Sequence, residues 1–298
     1  MSSETATPYG TVGVAAALKR SANDPAPSTT LFSKEFSLAD RVALVSGGHR
    51  GLGLEMALAL VEAGARAVYC VDLPKEPNAE WQKVRDYAAR LTDKGGEGRL
   101  EYVSANVSDQ KAIWKVGQDI GDREGRLDIC IAAAGIVKGS VDCLEYSDAT
   151  FREVHDVNTN GVLFTAQAAG RQMARFGNGG SIILIASIAG SAALRGSNVI
   201  PYETSKAAVI QMARSMACEL APRRIRVNSL SPGYIPTPMT FGILGIDSAV
   251  AEMWSNQNPM GRLGRPDELR GAAAWLASDA SSFCTGSDIQ VSGGQHAW

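Results

Sequence analysis

The chain has 298 residues, 45% of them hydrophobic and 20% charged, which suits one large domain with its own core. Its 29 basic and 31 acidic side chains give a formal charge of −2, which excludes the basic stripe behind a general grip on nucleic acid. No run reaches the roughly 18 apolar residues of a membrane span, so neither nucleic acid nor membrane is an expected partner. The five cysteines (Cys70, Cys130, Cys143, Cys218 and Cys284) are odd in number and widely spaced. That pattern fits reduced thiols of a cytoplasmic protein better than a disulfide framework. His49, His155 and His296 form no metal-binding array, and no metal is expected.

Residues 1–36 are rich in Ser, Thr, Ala and Pro and read as a poorly ordered N-terminal arm. Their one apolar stretch, Thr11–Leu18, is short and is followed rather than preceded by Lys19 and Arg20, unlike a secretory signal. Residues 37–298 read as one domain. Short apolar runs within it predict strands at Val42–Val45, Ala67–Val71, Leu100–Val103, Ile129–Ala134, Ile182–Ala186, Ile225–Leu230 and Ile289–Val291. Helical spacing lies between them, with Leu52, Met56, Leu60 and Val61 on one segment and Ala207, Ile210, Ala213, Ala217 and Leu220 on another. Strands apolar throughout, alternating with helices, predict a parallel sheet covered on both faces.

The first strand runs into Ser46-Gly47-Gly48-His49-Arg50-Gly51-Leu52-Gly53, where a helical pattern begins. Glycines at such a turn let backbone approach a pyrophosphate, and the helix start offers N–H groups with positive partial charge. The second strand closes at Asp72, 19 residues after Gly53, where a carboxylate is suited to a ribose diol. A further constellation begins with Ser187 at a strand end and continues 15 residues later with Tyr202-Glu203-Thr204-Ser205-Lys206. Four residues apart, Tyr202 and Lys206 share a helix face. An ammonium there is expected to pull the phenol pKa below its ordinary value of about 10.

Together these motifs resemble the short-chain dehydrogenase/reductase family over about residues 38–298. In order they are Ser46-Gly47-x-x-x-Gly51-Leu52-Gly53, Asp72, Asn106-Val107, Ala132-Ala133-Ala134-Gly135, Asp156-Val157-Asn158, Ser187, Tyr202-x-x-x-Lys206 and Ser231-Pro232-Gly233-Tyr234-Ile235-Pro236-Thr237. The ending Gly293-Gly294-Gln295-His296-Ala297-Trp298 is similar to that of some fungal polyol and ketose oxidoreductases. The resemblance implies a single-domain Rossmann fold with a doubly wound, seven-stranded parallel sheet. It also implies hydride transfer between a nicotinamide cofactor and a ketone or secondary alcohol.

By the same resemblance Tyr202 is the acid or base and Ser187 binds the carbonyl oxygen. Lys206 lowers the Tyr202 pKa and binds the nicotinamide ribose, and Asn158 holds a relay water, with Asn160 a competitor for that role. Gly47, Arg50, Gly51, Leu52, Gly53, Asp72, Asn106, Val107, Ala134, Gly135, Pro232 and Gly233 are implied in cofactor binding, while Ile235 and Thr237 face the carboxamide. Three departures stand out: Ala132-Ala133-Ala134-Gly135 where the family has Asn-Asn-Ala-Gly, Asn106 for Asp, and Ser292-Gly293-Gly294 for Asp-Gly-Gly. None touches the proton-transfer set. A cofactor-binding regulator without turnover, and an epimerase or dehydratase using the same Tyr–Lys pair, are the competing readings.

Residues 238–261 fall where the family carries a substrate lid. Their Met239, Phe241, Ile243, Leu244, Met253, Trp254 and Met260 favour a hydrophobic ketone, whereas the C-terminal similarity favours a polyol. The family also implies a homotetramer through helices around 148–176 and 202–220. For the cofactor, Asp72 favours NAD by repelling a 2′-phosphate. Arg50 occupies a position where NADP-preferring relatives often carry a base, and Asp72 is expected to outweigh it.

Overall fold

A computed structural model of the chain describes residues 11–21, 23–91, 98–237, 239–240 and 248–297. Each of the seven apolar runs forms a strand: β1 (Val42–Ser46), β2 (Ala67–Asp72), β3 (Arg99–Ser104), β4 (Ile129–Ala132), β5 (Gly180–Ile185), β6 (Ile225–Pro232) and β7 (Asp288–Val291). They lie in one sheet in the order β3-β2-β1-β4-β5-β6-β7, and every neighbouring pair is parallel. The direction of winding reverses between β1 and β4. In an open α/β sheet this switch point, at the carboxyl ends of the strands, is where a ligand crevice opens.

The α-helices among the described residues are α1 (Gly13–Leu18), α2 (Gly51–Glu62), α3 (Ala79–Ala88), α4 (Gln110–Glu124), α5 (Asp148–His155), α6 (Val162–Phe176), α7 (Ile200–Leu220), α8 (Ser248–Ser255) and α9 (Arg270–Ala277). Strand alternation divides the core between them. Val42 and Leu44 pack with Ile113 of α4, Ala166 of α6 and Ala213 of α7, while Ala43 and Val45 pack with Met56 and Leu60 of α2 and Leu276 of α9. Because both faces are covered, all five β1 residues are buried, which explains their continuous apolarity. On the helices, the expected inward residues Met56, Leu60, Val61, Ile210, Ala213 and Ala217 are buried. Ala207 is instead exposed.

Most strand ends lie within one residue of the expectation, while β4 ends two residues early, β5 starts two residues early and β6 ends two residues late. β4 stops at Ala132 rather than Ala134, because the chain then rises over the first loop. Ala133 N–H donates to Ser46 O at 3.2 Å and Ala134 N–H to Ser46 Oγ at 3.4 Å. β6 extends to Pro232, held by β7 up to the Pro232–Val291 pair. In the arm, Gly13–Leu18 is helical with no buried residue. Residues 1–10 lie outside the described residues, as do Phe241, Ile243 and Leu244 of the expected lid.

Candidate active site

A cleft of about 560 Å³ opens at the carboxyl ends of the central strands. Every residue expected to bind the cofactor lines it: Gly47, Arg50, Gly51, Leu52, Gly53, Asp72, Asn106, Val107, Ala134, Gly135, Tyr202, Lys206, Pro232, Gly233, Ile235 and Thr237. Ser187 joins them. Asn158 does not; it lies fully buried behind the wall.

At the first loop the glycines have a reason the sequence reading did not supply. A Cβ on Gly53 would run into the Gly47 carbonyl oxygen, and one on Gly47 would stand 2.7 Å from the Ala134 nitrogen. Both are needed for loop, helix and the run Ala132–Gly135 to pack together, which brings the backbone to the cleft. The small side chains of Ala133 and Ala134 leave room under this loop, and the Ser46 hydroxyl supplies bracing. The start of α2 carries no side-chain cap. Its first-turn N–H groups, at cleft-lining Gly51, Leu52 and Gly53, are therefore left for an anion.

Further along, Asp72 presents a carboxylate fixed by backbone donors, His49 N–H to Oδ2 at 3.2 Å and Leu73 N–H to Oδ1 at 2.8 Å. Each oxygen keeps acceptor capacity for a diol. Asn106, which lines the cleft, uses Oδ1 to accept from Ser108 N–H at 3.0 Å, which leaves its NH₂ as its donor. An uncapped helix start, then a fixed carboxylate, then an amide donor fits a dinucleotide laid across the switch point.

The reacting end is built from the buried Ser187 and Lys206 and the half-buried Tyr202. Ser187 follows β5, and its Oγ accepts from Ala189 N–H at 3.1 Å. It also lies within hydrogen-bonding reach of the Tyr202 phenol. Lys206, one helical turn beyond Tyr202, is buried and donates from Nζ to Ile185 O at 2.7 Å. Its ammonium stands 5.6 Å from the centre of the Tyr202 ring.

This geometry corrects the expectation for the phenol. The Tyr202 pKa lies above its ordinary value because burial penalises the phenolate, and the Ser187 hydrogen bond offsets only part of that. Burial likewise brings Lys206 down to about 8. The phenol is thus held as a proton donor.

The Asn158 side chain is tied into the wall of the cleft. Its Oδ1 accepts from Ile136 N–H at 2.8 Å, while its NH₂ donates to Ile136 O at 2.9 Å and to Ser205 Oγ at 3.1 Å. The Ser205 hydroxyl in turn donates to Tyr202 O at 2.7 Å. Asn158 therefore ties the irregular segment after β4 to the first turn of α7. Asn160 is exposed and donates to Asp156 Oδ1 at 3.0 Å, away from the cleft.

Beside Ser187 and Tyr202 lies a smaller cavity of about 80 Å³. Val137, Ile188, Leu194, Val199, Ile235, Met239 and Trp254 form its apolar walls, with Ser197, Tyr234 and Thr240 adding hydroxyls. Trp254 and Met239 came from the expected lid, whereas Met253 and Met260 are exposed. Val137, Leu194, Ser197 and Val199 were missed. They sit on irregular loops, where no periodicity marks an inward residue.

A family profile described as Enoyl-(Acyl carrier protein) reductase matches residues 47–296. The chain is 39% identical to sorbose reductase sou1 of Schizosaccharomyces pombe, over 87% of this chain and 97% of that protein. Among solved structures, a short-chain type dehydrogenase/reductase from Mycobacterium marinum is 37% identical with a TM-score of 0.80, covering 89% of this chain and 98% of its own. A gluconate 5-dehydrogenase from Burkholderia cenocepacia, solved with NADP and tartrate, is 31% identical with a TM-score of 0.77, over 89% of this chain and 98% of its own. The cradle for a dinucleotide and the Ser187–Tyr202–Lys206 set thus sit in a chain that belongs to the short-chain dehydrogenase/reductase family, NAD(P)-dependent oxidoreductases that act on secondary alcohols and ketones.

Proposed function

We propose that the protein interconverts a hydroxylated ketone and the corresponding polyol, with Tyr202 as the proton-transferring residue. The observation that carries this reading is the convergence of Ser187, Tyr202 and Lys206 where the cofactor cleft meets the small cavity. When bound, the nicotinamide supplies the hydride for carbonyl reduction. Tyr202, protonated at neutral pH, gives its proton to the carbonyl oxygen. The Ser187 hydroxyl donates to the same oxygen and stabilises its developing charge. Lys206, still largely protonated at pH 7, holds the ribose hydroxyls and supports the phenolate left behind. Ile235 and Thr237 orient the carboxamide.

The named relatives support a hydroxylated substrate, since one reduces sorbose and another oxidises gluconate by its description. A compact alicyclic hydroxyketone is a second reading, favoured by the apolar walls of the cavity. For the cofactor, the reading is NAD(H) over NADP(H). Asp72 has no ion-pair partner among the described residues, and Arg50 is exposed. A 2′-phosphate would therefore meet an uncompensated carboxylate. One experiment tests both points: a panel of linear and alicyclic hydroxyketones with NADH and NADPH, followed at the reduced-nicotinamide absorbance, in wild type and Asp72→Ser. Turnover with NADH, and a relative gain of about tenfold for NADPH in the variant, are expected. No turnover across the panel would overturn the reaction, and a wild-type preference for NADPH would overturn the cofactor choice.

A further inference from the structure

Leu194, Ser197 and Val199 reach the small cavity from the irregular loop that leads into α7. Within that loop the backbone closes one turn, with Ser197 N–H donating to Leu194 O at 3.1 Å. The chain then passes through the left-handed Asn198, with φ of 44°. That conformation is less favourable for a residue with a Cβ than for glycine, so the surroundings must hold it.

Two half-buried side chains from other parts of the fold hold the two ends of the loop. At its start, Glu203 of α7 accepts from Leu194 N–H through Oε1 at 2.8 Å. At its end, the phenol of Tyr146, two residues before α5, donates to Asn198 O at 2.6 Å. Val141 N–H donates to the same carbonyl at 3.2 Å. The Gly139 carbonyl lies 3.2 Å from the Tyr146 oxygen, but a phenol has one hydrogen and the nearer Asn198 takes it. Neither Tyr146 nor Glu203 lines the cofactor cleft or the small cavity. Whatever they do for the reaction passes through the loop.

We propose that Tyr146 and Glu203 are positioning residues for substrate binding: by anchoring Asn198 and Leu194 they hold the cavity wall of Leu194, Ser197 and Val199 in place against the ketone. With an anchor removed, one end of the loop is free, and ordering the wall becomes a cost charged to substrate binding. Ser187 and Lys206 keep their own partners, Ala189 N–H and Ile185 O, so the chemical step is left as it is. The inference rests on the reading of Ser187, Tyr202 and Lys206 as the carbonyl-reducing set.

The test follows reduction of a 2-ketohexose and of 4-hydroxycyclohexanone in wild type, Tyr146→Phe, Glu203→Leu and Glu203→Gln, at saturating NADH or NADPH, whichever wild type prefers. Hydrogen exchange of residues 192–199 is measured on the same proteins without cofactor. Tyr146→Phe and Glu203→Leu are expected to raise KM about fivefold for the ketone that wild type reduces, and to speed exchange in that segment. Their kcat and cofactor affinity should stay within about twofold of wild type. Glu203→Gln keeps an oxygen for Leu194 N–H and should stay within about twofold of wild type in every readout. An unchanged KM in either anchor-removing variant overturns the inference, and so do matching losses in kcat and cofactor affinity, which would mark general damage to the fold. If Tyr146→Phe does not fold, the contrast between Glu203→Leu and Glu203→Gln decides. Unchanged exchange overturns the inference alone, whatever the turnover. Wild type that reduces neither ketone overturns the carbonyl-reducing reading and the inference with it.

Discussion

The two ends of the cleft are made of different material. The end at β1 and β2 is built from backbone: the uncapped start of α2, and an Asp72 carboxylate steadied by two main-chain donors. The reacting end, after β5 and along α7, is built from buried and half-buried side chains held where their ionisation is disfavoured, with Tyr202 raised and Lys206 lowered. The first kind of site tolerates side-chain change but not an added Cβ. The second tolerates no change of functional group, yet can lose one without losing the fold. That contrast separates binding from chemistry within one cleft.

The largest effect should come from Tyr202→Phe. The ring volume stays, so the cleft keeps its shape and the cofactor still binds, while kcat falls by at least about 10²-fold because no proton is at hand. Single-turnover kinetics and a cofactor titration on the same variant make the check. If turnover stays near wild type, the reacting end does not depend on this phenol. The opposite dissociation is expected of Gly53→Val. Its side chain would collide with the Gly47 carbonyl, displacing the loop and weakening cofactor affinity by about tenfold or more, a loss comparable to that of other overpacked sites. Isothermal titration with the cofactor measures it, and unchanged affinity would show that the loop yields freely.

How far the sequence carried depends on the same difference. All seven strands were legible because burial on both faces leaves apolarity as their dominant pattern. The backbone-built end was legible through Gly47, Gly51 and Gly53, since a site that excludes side chains writes itself as glycine. Ser187, Tyr202 and Lys206 could be read from type and spacing. What spacing could not show was the direction of the phenol pKa. That depends on burial and on Lys206 pointing to the Ile185 carbonyl, both properties of the folded surroundings. Asn158 has the same lesson: its three side-chain hydrogen bonds to Ile136 and Ser205 join segments far apart in the chain, which no spacing encodes. The substrate wall was least legible. Ser197 and Leu194 enter the cavity from a loop whose path turns on the left-handed Gly196 and Asn198, with φ of 79° and 44°, and no periodicity encodes that.

The smallest expected effect, and the sharpest on the contrast between the ends, is on the stability of cofactor-free Lys206→Met. Burial lowers the lysine from its ordinary 10.5 to about 8, so between those pH values the unfolded chain binds more protons than the native one. Stability from this group rises with pH across that window, and below about pH 8 the full penalty, on the order of 3 kcal/mol, is present. Methionine removes the penalty but leaves the Ile185 carbonyl without its donor, which costs about 1–3 kcal/mol. At pH 7 the variant should therefore melt no lower than wild type although its turnover is lost. Raising the pH from 8 to 10.5 should shift the balance towards wild type by up to the size of the penalty. Wild type alone cannot show this, because the buried thiols of Cys70, raised to about 12, and Cys130, also raised, destabilise the fold as pH climbs above 9. The difference between variant and wild type cancels them. Urea unfolding of both proteins at pH 7, 8.5 and 10 measures it, and a variant several degrees or kcal/mol less stable at pH 7 would show that Lys206 holds the fold together as well as the chemistry.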